Sequence, residues 1–251
     1  MKILALWQFP VKGIGGSKVQ NASLLPKKYF PNDRQFAVSI GSEKAAVAED
    51  GTWLKKQHFL QLMNYPYLAK IKCNYDGIRH KLEFFLENQP KLSIDPKSAK
   101  DQDRLERFFS KLFKDHLVGR PRLMEMKTQA YTDQPNPLIS IASDKSLKAF
   151  AQATNTDPDN RRFRLNVIVE SDTPFTEQQL IGKTLRCGSV LIKLKDPVGR
   201  CAAINVNPET AEREKDYLKI MRTEFGHTNL GVFGEIASGG SIEVDDHFYV
   251  E

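Results

Sequence analysis

The sequence predicts a β-rich α+β fold, and three observations support that class. The chain has 251 residues, of which 40% are hydrophobic and 10% aromatic, so it can bury a sizeable core. Short runs of branched and aromatic residues, bounded by Gly, Pro, Asn and Asp, recur along the whole chain and are typical of strands. Helical periodicity is confined to a few segments, so strands and helices do not alternate regularly. We therefore expect a barrel-like, β-rich architecture.

The first half of the chain is predicted to be mostly strands. Four strand-like runs occupy residues 3–9, 35–40, 68–73 and 78–85. Between residues 100 and 114, apolar side chains recur at spacings of three and four, which predicts an amphipathic helix. These side chains are Leu105, Phe108, Phe109, Leu112 and Phe113.

A domain junction is predicted near residue 125. Residues 119–137 are rich in Gly, Pro and polar side chains. The charge also changes sign there: residues 1–130 carry 23 basic and 13 acidic side chains, whereas residues 131–251 carry 14 and 18. These observations divide the chain into domains at residues 1–125 and 126–251, with a basic first half suited to phosphate groups.

The second half is predicted to mix strands with two helices. One helix covers residues 143–153 with Ser143 as its N-cap, and another covers residues 208–225 before Gly226. Strand-like runs occupy residues 163–169, 184–194, 201–206, 231–236 and 241–250.

Several protein classes lack sequence support. No run approaches the roughly 18 apolar residues of a membrane span. The five histidines and three cysteines have no zinc-type spacing, and no ferredoxin-like cysteine cluster is present. The three cysteines lie far apart, which favours a reducing compartment, and we expect the cytoplasm.

Two short segments combine turn-forming residues with side chains suited to anions or nucleophilic chemistry. At residues 9–13, a strand end places Lys12 beside Gly13, where backbone N–H groups can face a phosphate. At residues 196–201, Cys201 directly follows Arg200, whose charge favours a thiolate. Each segment alone is weak evidence, since an isolated cysteine at a strand start is more often part of a core.

The order of these and later segments resembles a known family. Phe-Pro-Val-Lys-Gly at residues 9–13 and Asn-Asp-Arg-Gln-Phe at 32–36 resemble the N-terminal part of proteins with a MOSC domain, the module named after the C-terminal domain of molybdenum cofactor sulfurase. The Arg-x-Asn run within 162–169, Gly-Arg-Cys at 199–201, Asn-Pro-Glu-Thr at 207–210 and the closing run at 240–246 resemble that domain. The resemblance implies a β-rich, barrel-like MOSC domain packed on an N-terminal β-rich domain.

The resemblance also implies a molybdenum–molybdopterin cofactor, with Cys201 as catalytic residue and thiolate ligand to the metal. A thiolate is a soft ligand suited to such a metal, and neighbouring positive charge keeps it deprotonated. The remaining residues implied to bind the cofactor are Lys12, Gly13, Arg34, Asn136, Arg164, Asn166, Gly199 and Arg200. Neither zinc nor an iron–sulfur cluster is expected in this chain.

The chain departs from the family pattern at several positions. Val198 and Gly199 stand where many relatives have Ser or Cys before the arginine, and Gly13 stands where serine is common. Leu165 replaces a usual proline, and Asp245-Asp246 replaces a usual Gly-Asp. These changes bear on whether the cofactor is retained.

The resemblance implies an oxidoreductase that reduces N-hydroxylated compounds with electrons from a separate reductase or ferredoxin-type donor. A second hypothesis is a sulfur carrier that accepts a persulfide on Cys201 from a pyridoxal-phosphate-dependent cysteine desulfurase. A third, the least favoured because no nucleic-acid motif accompanies the charge, is a nucleic-acid-binding module using the basic half. No membrane partner is expected.

Overall fold

The computed structural model describes residues 1–48 and 54–251, which form fifteen strands and six α-helices. The strands are β1 (Ile3–Gln8), β2 (Ser17–Val19), β3 (Asn21–Leu24), β4 (Phe36–Val38), β5 (Ile71–Asp76), β6 (Lys81–Leu86), β7 (Gln89–Ile94), β8 (Leu123–Glu125), β9 (Ile139–Ser143), β10 (Val167–Val169), β11 (Thr184–Cys187), β12 (Val190–Gly199), β13 (Asn229–Ser238), β14 (Gly240–Glu243) and β15 (Tyr249–Val250). The α-helices are α1 (Glu43–Ala46), α2 (Ala99–Phe113), α3 (Asp144–Thr154), α4 (Asn160–Phe163), α5 (Thr176–Gln179) and α6 (Tyr217–Phe225). Short 3₁₀ helices cover Lys56–His58, Pro66–Lys70, Lys114–His116 and Ala202–Asn205.

An eight-stranded sheet organises most of the second half of the chain. Its strand order is β15-β11-β12-β13-β9-β10-β1-β2, and every pair is antiparallel except β10 with β9. The strands are rich in Ile, Val and Leu because the sheet buries one continuous apolar cluster against β3 and β14. Within the described residues this strand order is open, so the sheet does not close into the expected barrel.

A second apolar cluster lies in the first half of the chain. The three-stranded meander β5-β6-β7 packs against α2, which buries Leu105, Phe109 and Phe113 on one face. Ser98 caps α2 by accepting a hydrogen bond from the N–H of Asp101. A two-stranded ladder of β4 with β8 completes this region.

The structure confirms the β-rich α+β class and several of the predicted elements. Helix α2 begins and ends within one residue of the predicted bounds. Helix α3 begins after Ser143, whose hydroxyl accepts a hydrogen bond from the N–H of Ser146, as its predicted N-cap role requires.

Other predicted elements were wrong. The run at residues 201–206 is not a strand, because Ala202–Asn205 turns into a 3₁₀ helix directly after Cys201. The helix predicted from residue 208 begins only at Tyr217, where Asp216 supplies the N-cap. Residues 160–163 form α4, so the strand predicted at 163–169 is shortened to β10.

The first strand of the chain belongs to the same sheet as the last ones. Strand β1 pairs with β10, placing Ile3 opposite Val169, and with β2 on its other side. Residues 36–125 build the meander, α2 and the β4–β8 ladder. The division at residue 125 stays a prediction. Among residues 1–48 and 54–251, no helix combines the length and apolar character needed to cross a membrane.

Candidate functional site

A cavity of about 240 Å³ lies where the two regions of the chain meet. The structure brings eight of the nine predicted site residues into its lining. These are Lys12, Gly13, Arg34, Arg164, Asn166, Gly199, Arg200 and Cys201. They come from the turn after β1, the segment before β4, the turn after α4 and the end of β12, so the fold assembles the site from distant parts of the sequence.

Cys201 lines the cavity at a point where the backbone changes direction, between the end of β12 and the 3₁₀ helix Ala202–Asn205. Strand β12 ends at Gly199, the N–H of Arg200 donates to Thr228 O at 2.9 Å, and Cys201 then precedes the 3₁₀ helix Ala202–Asn205. Cys201 is exposed, whereas Cys73 and Cys187 are buried. An exposed thiol at the lip of a cationic cavity is accessible for metal ligation or nucleophilic attack.

Arg200 anchors the turn that carries this cysteine. Its Nε donates to Leu230 O at 3.0 Å, its Nη2 donates to the same oxygen, and its Nη1 donates to Phe163 O at 3.0 Å. Burial lowers the pKa of Arg200 to about 9, opposed by the nearby charge of Cys201 and reinforced by repulsion from Arg34. Most of its donors are therefore used within the protein, and Arg200 holds the Cys201 turn against β13.

Arg164 is placed differently. It ends α4 in the left-handed conformation, with φ of 59°, and its Nη2 makes a hydrogen bond of 3.3 Å to Val11 O. Burial and then repulsion from Arg34 lower its pKa to about 9, and no carboxylate of the described residues pairs with it. The guanidinium remains charged at neutral pH, so its other N–H groups are available to an anion in the cavity.

Lys12 and Arg34 also line the cavity, and each has a carboxylate partner. Lys12 Nζ lies 2.7 Å from Asp133 Oδ1 and donates to Tyr131 O at 2.9 Å. Arg34 pairs with Asp33, and its Nη2 donates to Arg164 O at 2.7 Å. Burial lowers the pKa of Lys12 despite Asp133, with Arg164 and Arg34 adding repulsion. Three cations therefore crowd one small space.

Phe9 forms the apolar floor beneath two of these cations. Its ring is fully buried, and the guanidinium carbons of Arg34 and Arg164 lie 4.9 and 5.2 Å from its centroid. Cation–π contacts of this kind hold both arginines in position without neutralising their charge.

The two predicted glycines differ in how strictly they are needed. Gly13 has φ of +80°, and a Cβ there would lie 3.0 Å from Leu60 O, so the backbone requires glycine. At Gly199 the nearest atom to such a Cβ is Asn229 Oδ1 at 3.7 Å, an ordinary contact. The cavity therefore has room for a side chain at residue 199.

The two predicted asparagines do not take up an obvious ligand-binding role. Asn166 is buried, and its Oδ1 accepts from Ser140 N at 3.1 Å and Ser140 Oγ at 2.9 Å, which ties β9 to the start of β10. Asn136 is exposed and lies outside the cavity lining, because the loop turns Gln134 and Leu138 toward it instead.

Sequence reasoning missed a network beneath Cys201. Arg162 Nη1 donates to Ile204 O at 2.7 Å and Val206 O at 3.0 Å, and its Nη2 lies 3.1 Å from Glu214. Glu214 also accepts from Tyr217 Oη at 2.6 Å. Arg162 belongs to the motif-bearing run at residues 162–169, but nothing in the sequence pairs it with a carboxylate 52 residues later.

The described residues include no group of three or more His, Cys, Asp or Glu placed to hold a metal ion. The cavity instead combines one accessible thiol with a cationic wall. This set suits an anionic group that brings most of its metal ligands with it. The class of site is thus a thiol-bearing anion cradle.

Residues 129–249 match the family model described as the MOSC domain. The matched segment includes Arg164, Arg200 and Cys201, while Lys12 and Arg34 lie outside it.

Two proteins named molybdenum cofactor sulfurase, from Drosophila mojavensis and Drosophila grimshawi, are 35% and 33% identical over 97 residues. That match covers 38% of this chain but 12% of each relative. Among solved structures, the YuaD protein of Bacillus subtilis covers 99% of this chain and 94% of its own, with a TM-score of 0.47 and 12% identity. YiiM of Geobacillus stearothermophilus covers 45% and 53%, with a TM-score of 0.37 and 15% identity.

Proposed function

We propose that this chain binds a molybdenum–molybdopterin cofactor through Cys201 and the cationic cavity, and that it reduces N-hydroxylated compounds. The observation that carries the proposal is the meeting of an exposed thiol with Arg164, a half-buried cation that has no carboxylate partner among the described residues. An anionic cofactor would relieve the repulsion among Arg164, Arg34 and Lys12. The relatives named molybdenum cofactor sulfurase support the choice of cofactor.

The chain's own residues divide the work of binding. Cys201 would supply the soft thiolate that the metal prefers. Arg164 would donate its free N–H groups to the phosphate or pterin, and Lys12 would add a point charge beside it. Gly13 keeps the backbone close to the cavity, because a side chain there would meet Leu60 O. Arg200 would hold the cysteine in position through its bonds to Leu230 O and Phe163 O.

When bound, the cofactor supplies two-electron oxygen-atom chemistry. The net reaction converts an N–OH group into N–H, consuming two electrons and two protons and releasing water. The electrons come from a separate reductase or ferredoxin-type partner in this proposal. In this proposal the cavity orients the substrate beside Cys201.

The first test is the molybdenum and pterin content of protein purified from a cofactor-replete host. We expect near-stoichiometric metal in the wild type and little in Cys201→Ser, which should stay folded because Cys201 is exposed. Cys187→Ser is the matched control, since Cys187 lies outside the cavity lining. Folded wild-type protein without metal or pterin would contradict the proposal.

A sulfur-carrier function is a second candidate. One observation favours it: Cys201 is exposed and can be reached by a second protein, whereas Cys73 and Cys187 are buried. A cysteine desulfurase would transfer sulfane sulfur to the Cys201 thiolate, giving a persulfide. Incubation with a desulfurase and ³⁵S-labelled cysteine should label the wild type and not Cys201→Ser. Equal labelling of both would exclude Cys201 as the carrier.

A further inference from the structure

A second groove, of about 310 Å³, lies on the surface away from Cys201 and has a distinct character. Its lining combines the aromatic rings of Trp7 and Phe85 with the cations Lys18, Lys72 and Arg161. None of these residues lines the Cys201 cavity. The groove therefore adds a feature that the proposed cofactor site does not use.

Two of the three cations in this groove have no acidic partner among the described residues. Lys18 Nζ lies 5.6 Å from the centroid of the Trp7 ring, and Lys72 Nζ donates to the neutral amide oxygen of Asn88. Arg161, in contrast, pairs with Asp159 at 2.6 Å and Glu209 at 2.5 Å. The free positive charge of the groove thus belongs to Lys18 and Lys72, and it lies on the basic half of the chain.

The aromatic part of the groove leads inward to the candidate site. The rings of Trp7 and Phe9 are stacked, with centroids 5.9 Å apart and an interplanar angle of 9°. Phe9 is the buried ring beneath the guanidinium groups of Arg34 and Arg164. A continuous line of ring contacts therefore runs from the groove surface to the wall of the Cys201 cavity.

We propose that the groove of Trp7, Lys18 and Lys72 is the docking surface for an acidic electron-carrier protein. The inference rests on the proposed redox function and deepens it by locating the partner. The lysines without acidic partners would steer and orient an acidic surface, and the stacked Trp7 and Phe9 rings would provide a packed route for electrons toward the cavity. Each N–OH group reduced consumes two electrons, so two molecules of a one-electron carrier dock and are oxidised in succession.

Binding tests the docking surface without any requirement for turnover. The probe is a plant-type [2Fe–2S] ferredoxin, which is acidic, titrated against the full chain at low salt. Reversing both lysines, Lys18→Glu with Lys72→Glu, should weaken binding by about tenfold or more, because like charges then face each other. Lys97→Glu, in a different surface cavity, should bind as the wild type does. Wild-type affinity should fall as salt rises.

Two outcomes would overturn the docking surface. One is equal ferredoxin binding by the wild type and the double variant, including no binding by either. The other is displacement of ferredoxin by a single-stranded oligonucleotide that binds the groove as tightly, since that would assign the lysines to nucleic acid instead.

Electron delivery tests the aromatic route. In molybdenum-loaded protein, Trp7→Leu should lose ferredoxin-driven reduction of an N-hydroxylated substrate but retain reduction driven by dithionite, which reaches the cavity without docking. Trp7→Phe should restore part of the ferredoxin-driven rate. Unchanged ferredoxin-driven rates in Trp7→Leu would overturn the route. No turnover with either reductant, alongside lysine-dependent ferredoxin binding, would remove the proposed reaction and leave the docking surface standing.

Discussion

Two arginines that lie two residues apart in the sequence have their charge compensated in different ways. Arg162 belongs to the network beneath Cys201, and Arg164 belongs to the cationic lining of the cavity. Arg162 is buried and bonds to Ile204 O, Val206 O and Glu214. The Arg164 side chain makes one hydrogen bond, to Val11 O, and has no carboxylate partner in the described part of the chain. Two arginines of one motif can therefore have different roles. Arg162 stabilises the structure of the site, and Arg164 remains available to a ligand.

The largest expected effect comes from removing the arginine of the network. Arg162→Met should lower the free energy of unfolding by about 3 kcal/mol, because it leaves two buried carbonyls without their donor and the Glu214 carboxylate without its cationic partner. Urea denaturation measures this. Arg164→Met is the matched control and should cost less than about 1 kcal/mol, since its removal relieves repulsion from Arg34. Equal losses of stability in both variants would contradict the different roles assigned to Arg162 and Arg164.

Anion binding tests the role of Arg164, the second arginine of the comparison. Arg164→Met should weaken the binding of pyrophosphate by about tenfold, the equivalent of about 1.4 kcal/mol, because a charge-assisted contact is lost. Isothermal titration calorimetry of the full chain measures the change. Arg161→Met, outside the cavity lining, should retain wild-type affinity. An unchanged affinity in Arg164→Met would mean that the wall cation is not the anion's ligand.

The network also predicts a pH-dependent stability. Burial alone would raise the pKa of Glu214, but hydrogen bonds from Tyr217 and Asn207 and the charge of Arg162 lower it below its usual 4.5. Its stabilisation is therefore complete above about pH 4.5 and is lost as the pH falls through the lowered value. Glu214→Gln should cost about 1 kcal/mol at pH 7 and progressively less in acid. A stability difference that is constant from pH 7 to pH 3 would contradict this assignment.

The smallest expected effect on stability is that of replacing Gly199, which contrasts with the replacement of Gly13. Gly199→Ala should change stability by less than about 0.5 kcal/mol, because its Cβ meets only Asn229 Oδ1 at 3.7 Å. Gly13→Ala should cost about 1 kcal/mol or more, because of its left-handed backbone. Thermal unfolding compares the two. A larger loss of stability in Gly199→Ala than in Gly13→Ala would contradict the conclusion that the backbone needs glycine at residue 13 and not at residue 199.

Local sequence patterns were sufficient to predict elements whose structure depends only on residues close in the sequence. The apolar spacing of α2 and the cap at Ser143 are set by neighbours within one or two turns, so both could be predicted. Residues 201–206 were misassigned because branched apolar residues suit either a strand or a buried turn. There the choice of a 3₁₀ helix depends on Arg162, which lies about 40 residues earlier in the chain.

The candidate site was predictable through its motifs but not through its charge balance. The segments at residues 9–13, 32–36, 162–169 and 199–201 indicated eight residues that the cavity brings together. Nothing in those segments shows that Asp133 pairs with Lys12, while Arg164 has no carboxylate partner among the described residues. Asn136 was misplaced for a related reason, since one or two residues of slip in a loop decide which side chain faces inward.

The place of β1 in the main sheet has a consequence for synthesis on the ribosome. Strand β1 is made first, yet its partner β10 ends at Val169 and the bridge from Lys2 reaches His247. Strand β1 can pair early with β2, but its other edge must wait until β10 has emerged. Meanwhile the meander β5-β6-β7 and α2 need only nearby residues and can form early. The cavity would thus be completed only when β10 pairs with β1 and brings Arg164 to Arg34.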